Sequence, residues 1–392
     1  MSAPPRRQRP DAGATELHTL IVAPSRSDNS LGRALSLAEV FAHLGSLSLL
    51  AGDDGPLWQG ARDSRFDVDG FACPADLVAA IRTIRPTTVV TVKPFRRSLR
   101  WTVGALRAST QGGAPPPLVV DLDDYDAAIH AEWHRDLPPV ERARSIARSE
   151  LSPLRIRARI RQLLPAATML TVSSWALRRC FPRFGGPEVR LPHPRPVEAY
   201  EPPVPSERLR VGFLGTPVGY KGVDTVCRLV TARADAELHV LAGTEDAFSA
   251  VGSERLVIHQ HHGPETLAHA FRHVDVVVLP QDSDTAAARF QLPAKLVDAL
   301  RFGRPVVATD TPPIRELAGP SVALISSWEP LDDGLSALDA LSQRDRRESL
   351  GRRGSDGWAA AFSAPKLADE LAAALANAGV AVAPPRPRGA QS

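Results

Sequence analysis

The sequence predicts an α/β protein made of two Rossmann-like halves, each a doubly wound parallel sheet, with their ligand-binding ends facing a shared cleft. Three observations carry this expectation. From His18 to Leu191 short apolar runs alternate with helical stretches, which is the pattern of parallel strands joined by crossover helices. The proline-dense segment PHPRPVEAYEPPVPSE interrupts that alternation, which restarts at Leu209. At 392 residues and 43% hydrophobic content, the chain is long enough to bury two cores.

In order, HTLIVAP reads as a strand, and SRSDNSLG as a polar loop opening the helix RALSLAEVFAHLG. SLSLLAG is a second strand, ADLVAAIRTIRP a helix, TTVVTVKP a strand, LRWTVGALRAS a helix, and PLVVDLDDYD a strand ending in carboxylates. Glu141 to Leu164 is Arg-rich and helical, divided at Pro153, and ATMLTVSS adds a strand. In the second half LRVGFLG, AELHVLAG, RLVIHQ, DVVVLP, PVVAT and VALIS read as strands, with helices KGVDTVCRLVTA, PETLAHAFRHV, PAKLVDALRFG and PPIREL between them. The expected organisation is a disordered leader (1–15), an amino-terminal Rossmann-like domain (16–191), a Pro-rich linker (192–208), a carboxy-terminal Rossmann-like domain (209–360), a helix packing back on the first domain (361–379) and a disordered tail (380–392). The linker has a competing reading as a long surface loop inside one domain.

Composition narrows the function. A net charge of +3 is too small to argue for nucleic acid. No run of about 18 apolar residues exists and the amino terminus has no apolar signal core, so a cytoplasmic protein is expected. Cys73, Cys180 and Cys227 lack metal or disulfide spacing and read as reduced thiols. Among 47 basic residues the lysines are Lys93, Lys221, Lys295 and Lys366. Where arginine is the default, a lysine marks a place for a compact point charge instead of a planar fork.

Parallel sheets bind ligands beyond the carboxyl ends of their strands. Three stretches lie there: LGTPVGYKG (Leu214 to Gly222), HHGPETLAHAFRHVDVVVLP, and PAKLVDALRFGRPVVATDTPPIREL. In order and spacing they resemble the carboxy-terminal domain of GT-B glycosyltransferases of the family 4-like group, which are retaining and use nucleotide sugars. The resemblance spans about half the chain. It implies a GT-B fold and a metal-independent glycosyltransferase with no cofactor beyond its nucleotide-sugar donor.

Residue by residue, the resemblance places Gly215, Thr216, Lys221 and Gly222 on the donor diphosphate. Physical chemistry agrees: a leaving diphosphate is stabilised by cations and by the free amides of a helix start. Lys295 would reach phosphate or ribose from the other side, with Lys221 and Lys295 as catalytic point charges. A surface lysine laying its stem on apolar neighbours is the competing reading for each. Asp298 matches the ribose carboxylate, usually glutamate in the family, and Glu316 closes the third motif within the donor-binding set. In the amino-terminal half the likeness is weaker. Gly32 in SDNSLG would let backbone approach the donor, with Arg33 adding charge; an ordinary helix entry explains it as well. Lys93, Asp121, Asp123 and Asp124 end strands at the cleft, where they would hold the acceptor or a sugar hydroxyl, and Asp121 is the catalytic candidate among them. Helix capping is as good a reading for Asp123 or Asp124.

Two departures stand out. Where the family has a glutamate for the donor sugar, eight residues before Asp298, this chain has Phe290, so Asp282, Asp284, backbone amides or an unusual sugar must serve. Thr216 replaces the family's arginine. These departures keep two other readings open, a nucleotide-sugar epimerase or pseudo-glycosyltransferase on the same fold and a non-catalytic partner subunit. His130 and His134 lie one helical turn apart but lack a third ligand, so no metal is expected. His261 and His262 precede the loop where the family contacts the base. The segment 142–161, with Arg142, Arg144, Arg148, Arg155, Arg157, Arg159 and Arg161, suits an anionic lipid surface; a solvated, ion-paired helix is the alternative.

Overall fold

The computed structural model describes residues 17–53, 55–110, 113–135, 137–260 and 263–382. The expected leader, most of the expected tail, and His261 and His262 lie outside the described residues.

The first half runs β1 (Leu17–Ala23), α1 (Ser30–Phe41), β2 (Gly45–Gly52), β3 (Asp69–Phe71), α2 (Pro74–Ile84), β4 (Thr88–Val92), α3 (Trp101–Ser109), β5 (Leu118–Leu122), α4 (Asp126–Trp133), α5 (Pro139–Arg148), α6 (Pro153–Leu163), β6 (Met169–Val172), α7 (Trp175–Arg178) and β7 (Glu188–Arg190). Its strands form a seven-stranded sheet in the order β3-β2-β1-β4-β5-β6-β7. The second half runs β8 (Leu209–Phe213), α8 (Val223–Thr231), β9 (Ala236–Leu241), β10 (Leu256–His259), α9 (Pro264–Arg272), β11 (Val276–Leu279), α10 (Ala286–Phe290), α11 (Ala294–Arg301), β12 (Val306–Thr309), α12 (Pro312–Leu317), β13 (Val322–Ile325), α13 (Asp332–Ala340), α14 (Arg344–Phe362) and α15 (Ala364–Asn377). Its sheet has six strands in the order β10-β9-β8-β11-β12-β13. All pairings in both sheets are parallel.

Each sheet is covered on both faces, which is why its central strands are continuous apolar runs and do not alternate. In the first domain α1 and α15 pack on one face against Leu17, Ile21 and Val90, and α2, α3 and α6 cover the other against Leu20, Val89 and Val120. In the second, α8 and α13 lie on one side with Phe213 and Val240, and α9 and α11 on the other with Val277 and Ala308. The last helix crosses back: Leu367, Leu371 and Leu375 of α15 are buried in the first domain's core, each stabilising that docking by about 2 kcal/mol before entropy is counted. Val380, expected in a solvated tail, is only 6% exposed and joins the same core. An apolar residue one step past the αL glycine Gly379 is folded back onto the helix it follows.

The domains are closed on each other. Tyr125 packs edge-on against Phe290, ring centroids 6.2 Å apart. Ala128 and Ile129 of α4 meet Ala287 of α10.

Candidate functional site

In each sheet the strand order reverses beside the first strand of that domain, and a crevice opens at such a switch point beyond the strand ends. In the second domain this brings together the loops after β8, β11 and β12. Lys221 ends a short 3₁₀ turn, and Gly222 (φ +71°) stands as N-cap of α8. A Cβ at Gly222 would lie 1.9 Å from the carbonyl oxygen of Pro280, so glycine is required there on both counts. Lys221 Nζ donates to the Thr216 carbonyl oxygen at 3.3 Å. Burial holds its pKa below the usual lysine value, with Asp124 of the other domain opposing that shift.

Lys295 projects from the first turn of α11 and lies along Gly215, whose added Cβ would sit 3.0 Å from Lys295 Cδ. Its Nζ is buried, stands 3.5 Å from the centre of the Phe213 ring, and has no hydrogen-bond partner among the described residues. Burial, and secondarily the Lys221 charge, pushes its pKa well below the usual lysine range. An ammonium held this way is poorly compensated.

Across the cleft, at the ends of β4 and β5, Lys93 adopts a left-handed backbone (φ +60°). Its Nζ lies 3.0 Å from Asp123, 2.9 Å from Asp124 and 3.2 Å from Asp126. Gln291, just after α10, donates to Asp124 at 3.2 Å and joins the two halves. Burial and the neighbouring carboxylates raise Asp126 to about 7 and Asp123 to about 6, against the opposing pull of Lys93. For Asp124 the Lys93 charge and hydrogen bond outweigh burial, and its pKa falls to about 2. Asp126 was missed from sequence; the signal was the fourth aspartate of DLDDYD, its last residue, which opens a helix.

Several expected site residues have partners of their own within the protein. Asp121, the catalytic candidate, is wholly buried. Arg33 grips both its oxygens at 2.7 and 2.9 Å, and Thr171 donates to it at 2.6 Å. Arg33 in turn donates to the Leu191 carbonyl oxygen at 2.8 Å, so it braces strand ends. At Gly32 the close neighbour is the Trp58 ring, 3.0 Å from an added Cβ, which makes its smallness a matter of packing. Asp298 is 6% exposed and accepts from Arg195 Nε at 2.8 Å; Arg195 also donates to Ser36 in α1, so this guanidinium fastens its own segment to both domains. Glu316 accepts the backbone N–H groups of Trp175 and Ala176 at 2.9 and 2.6 Å and meets Arg190 at 3.3 Å. It clasps the start of α7 in the first domain. Neither of these carboxylates is free for a ribose as they stand.

The linker histidine, His193, sets its Nε2 3.0 Å from the Leu292 carbonyl oxygen, so that nitrogen carries a proton. Burial, with Arg33 and Arg195 adding to it, lowers its pKa to about 4 and keeps it neutral. Thr216 is exposed, and the alternatives to Phe290 are exposed too: Asp282 accepts the Asp284 backbone N–H in a local turn. His130 packs against Phe95 and Trp133, and its pKa falls to about 4 through burial. Among the described residues no group of three His, Cys, Asp or Glu side chains is arranged to hold a metal ion.

Residues 208–338 match the family model described as "Glycosyl transferases group 1". No curated protein matches the chain. Among solved structures it is similar to Anabaena HepE in complex with UDP-glucose, with a TM-score of 0.65 and 14% identity over 92% of this chain and 99% of that one. Sucrose-phosphate synthase from Thermosynechococcus elongatus gives 0.64 and 13%, covering 91% and 98%. The lipopolysaccharide outer core galactosyltransferase WaaB, in its apo form, gives 0.54 and 12%, covering 92% and 99%. The chain therefore has the GT-B fold of these proteins, as its motifs implied.

Proposed function

We propose that the protein is a glycosyltransferase that moves a sugar from a nucleoside diphosphate sugar to an acceptor hydroxyl with retention, needing neither a metal nor a cofactor. The observation that carries this is the pair Lys221 and Lys295: one at the start of α8, the other buried beside Gly215 with only an aromatic ring to face. A diphosphate there gains two ammonium groups and the free amides of a helix start, and its charge grows as the sugar departs. Closure of the domains over the site supplies orientation and excludes water. Retention is read from the likeness of the third motif to family 4, and a matching family model over 208–338 supports the reaction class.

The test is the thermal shift of the protein with UDP, GDP, ADP and dTDP, run beside Lys221→Ala. A ligand at about 100 times its Kd stabilises the fold by about 2.7 kcal/mol. The expected result is that one nucleotide stabilises the wild type and the shift shrinks in the variant; no shift with any of them sinks the reading. The anomeric proton coupling of a transferred glucose decides retention.

A membrane contact is part of this proposal. Trp133, Val140 and Leu154 are 58%, 63% and 69% exposed on the consecutive helices α4, α5 and α6. They lie among arginines, although Arg159 is drawn inward to the Pro94 carbonyl oxygen. Such a surface suits anionic lipid at the cytoplasmic face, and no helix among the described residues is long and apolar enough to cross a membrane. Co-sedimentation with phosphatidylglycerol vesicles but not phosphatidylcholine vesicles is expected, and equal binding to both refutes the contact.

A further inference from the structure

The cluster around Lys93 is out of charge balance. One ammonium faces three carboxylates, those of Asp123, Asp124 and Asp126, within 3.2 Å, and all four side chains are largely buried. The nearest other pair, Arg33 with Asp121, is neutral in itself. From the second domain the facing groups are Gln291, Tyr220 and Lys221, and His193 of the linker is uncharged. Asp126 is 4% exposed, and its Oδ2 is buried with no hydrogen-bond partner among the described residues. A buried carboxylate oxygen left in this state costs about 1–3 kcal/mol unless a donor reaches it.

We propose that this cluster is the acceptor subsite and that it takes an acceptor carrying an ammonium group next to the hydroxyl that is glycosylated, as in an amino sugar or amino alcohol. The proposal rests on the transferase reading above. A donor diphosphate held by Lys221 and Lys295 takes up their two ammonium groups and leaves no cation over for the carboxylates on the opposite wall of the cleft. A neutral polyol between those walls leaves the carboxylates uncompensated. An ammonium brings one positive charge and three N–H donors, one of which satisfies Asp126 Oδ2. In its absence protons fill the role, consistent with Asp126 and Asp123 holding theirs to about pH 7 and about pH 6.

The test is calorimetric titration of the full chain with UDP present, near neutral pH, using glucosamine, glucose and N-acetylglucosamine as probes. Glucosamine should bind at least about tenfold more tightly than either neutral twin. Asp126→Asn should remove most of that preference, Asp126→Glu should keep it, and both should bind UDP as the wild type does. If glucosamine does not outbind its twins, whether all bind alike or none binds, the proposal is overturned. If the preference survives Asp126→Asn in a variant that melts no lower than the wild type, the site is misplaced and the proposal also fails. Failure of UDP to bind at all is a separate outcome that removes the transferase reading and this proposal with it.

Discussion

Glu316 in the second domain accepts the backbone N–H of Trp175 in the first at 2.9 Å, and its other oxygen takes the N–H of Ala176. A carboxylate thus caps a helix it does not belong to and ties the two domains together. Hydrogen bonds to a charged group contribute about 1.5–3 kcal/mol, here discounted because Glu316 and Arg190 are partly exposed. Glu316→Ala should populate an open form, seen as a larger radius of gyration in small-angle scattering, and should lower kcat/KM by about tenfold. An unchanged scattering profile would show that the other interdomain contacts suffice for closure.

Lys295 makes a prediction with a definite sign. Its folded pKa lies well below the usual 10.5 through burial and Lys221, so between those two values the unfolded chain binds more protons. Stability therefore rises with pH through that window. Lys295→Met removes the buried charge, so it should melt higher than the wild type at neutral pH and lose that rise. It should also lose the UDP-induced shift. A variant that melts lower would mean that the ammonium is compensated in the free protein.

Asp126 behaves oppositely. Its pKa is raised from 3.8 to about 7, with burial as the largest cause, so the folded state holds a proton that the unfolded state releases. Stability should fall as pH rises from about 4 to about 7, to which Asp123 contributes below about 6. Asp126→Asn should flatten the fall and melt higher than the wild type near pH 8. A melting profile that the substitution leaves unchanged would count against burial of the charge.

The fold was legible because its signals are local. Apolar runs such as TLIVA and VVVL read as buried parallel strands. The motif glycine was legible too: Gly222 takes a left-handed backbone, and Lys221 lies close enough to Lys295 for its charge to lower that pKa. What did not read through was pairing at long range. Nothing near Asp298 in sequence points to Arg195, 103 residues away, and nothing near Glu316 points to Trp175, 141 residues away. A carboxylate that looks free in a motif is available only if no distant donor claims it. Strands as short as β3 and β7, three residues each, escaped because they carry too few residues to show a period.

The same principle makes Arg33 and Asp121 the sharpest test of structural against catalytic assignment. Both are almost wholly buried, and they form a two-pronged ion pair. Removing one partner strands the other's charge, so Arg33→Met or Asp121→Leu should cost about 3–5 kcal/mol. The double variant Arg33→Met with Asp121→Leu removes both charges and should cost less than the sum of the single losses, because no charge is left stranded. If Asp121 served the chemistry, the folded double variant would lose kcat with unchanged KM. As a brace it should instead melt lower while keeping kcat, within a few-fold, below its melting temperature. Urea unfolding and steady-state kinetics on the three variants separate these outcomes, since the cycle measures the pair and the rate measures the site.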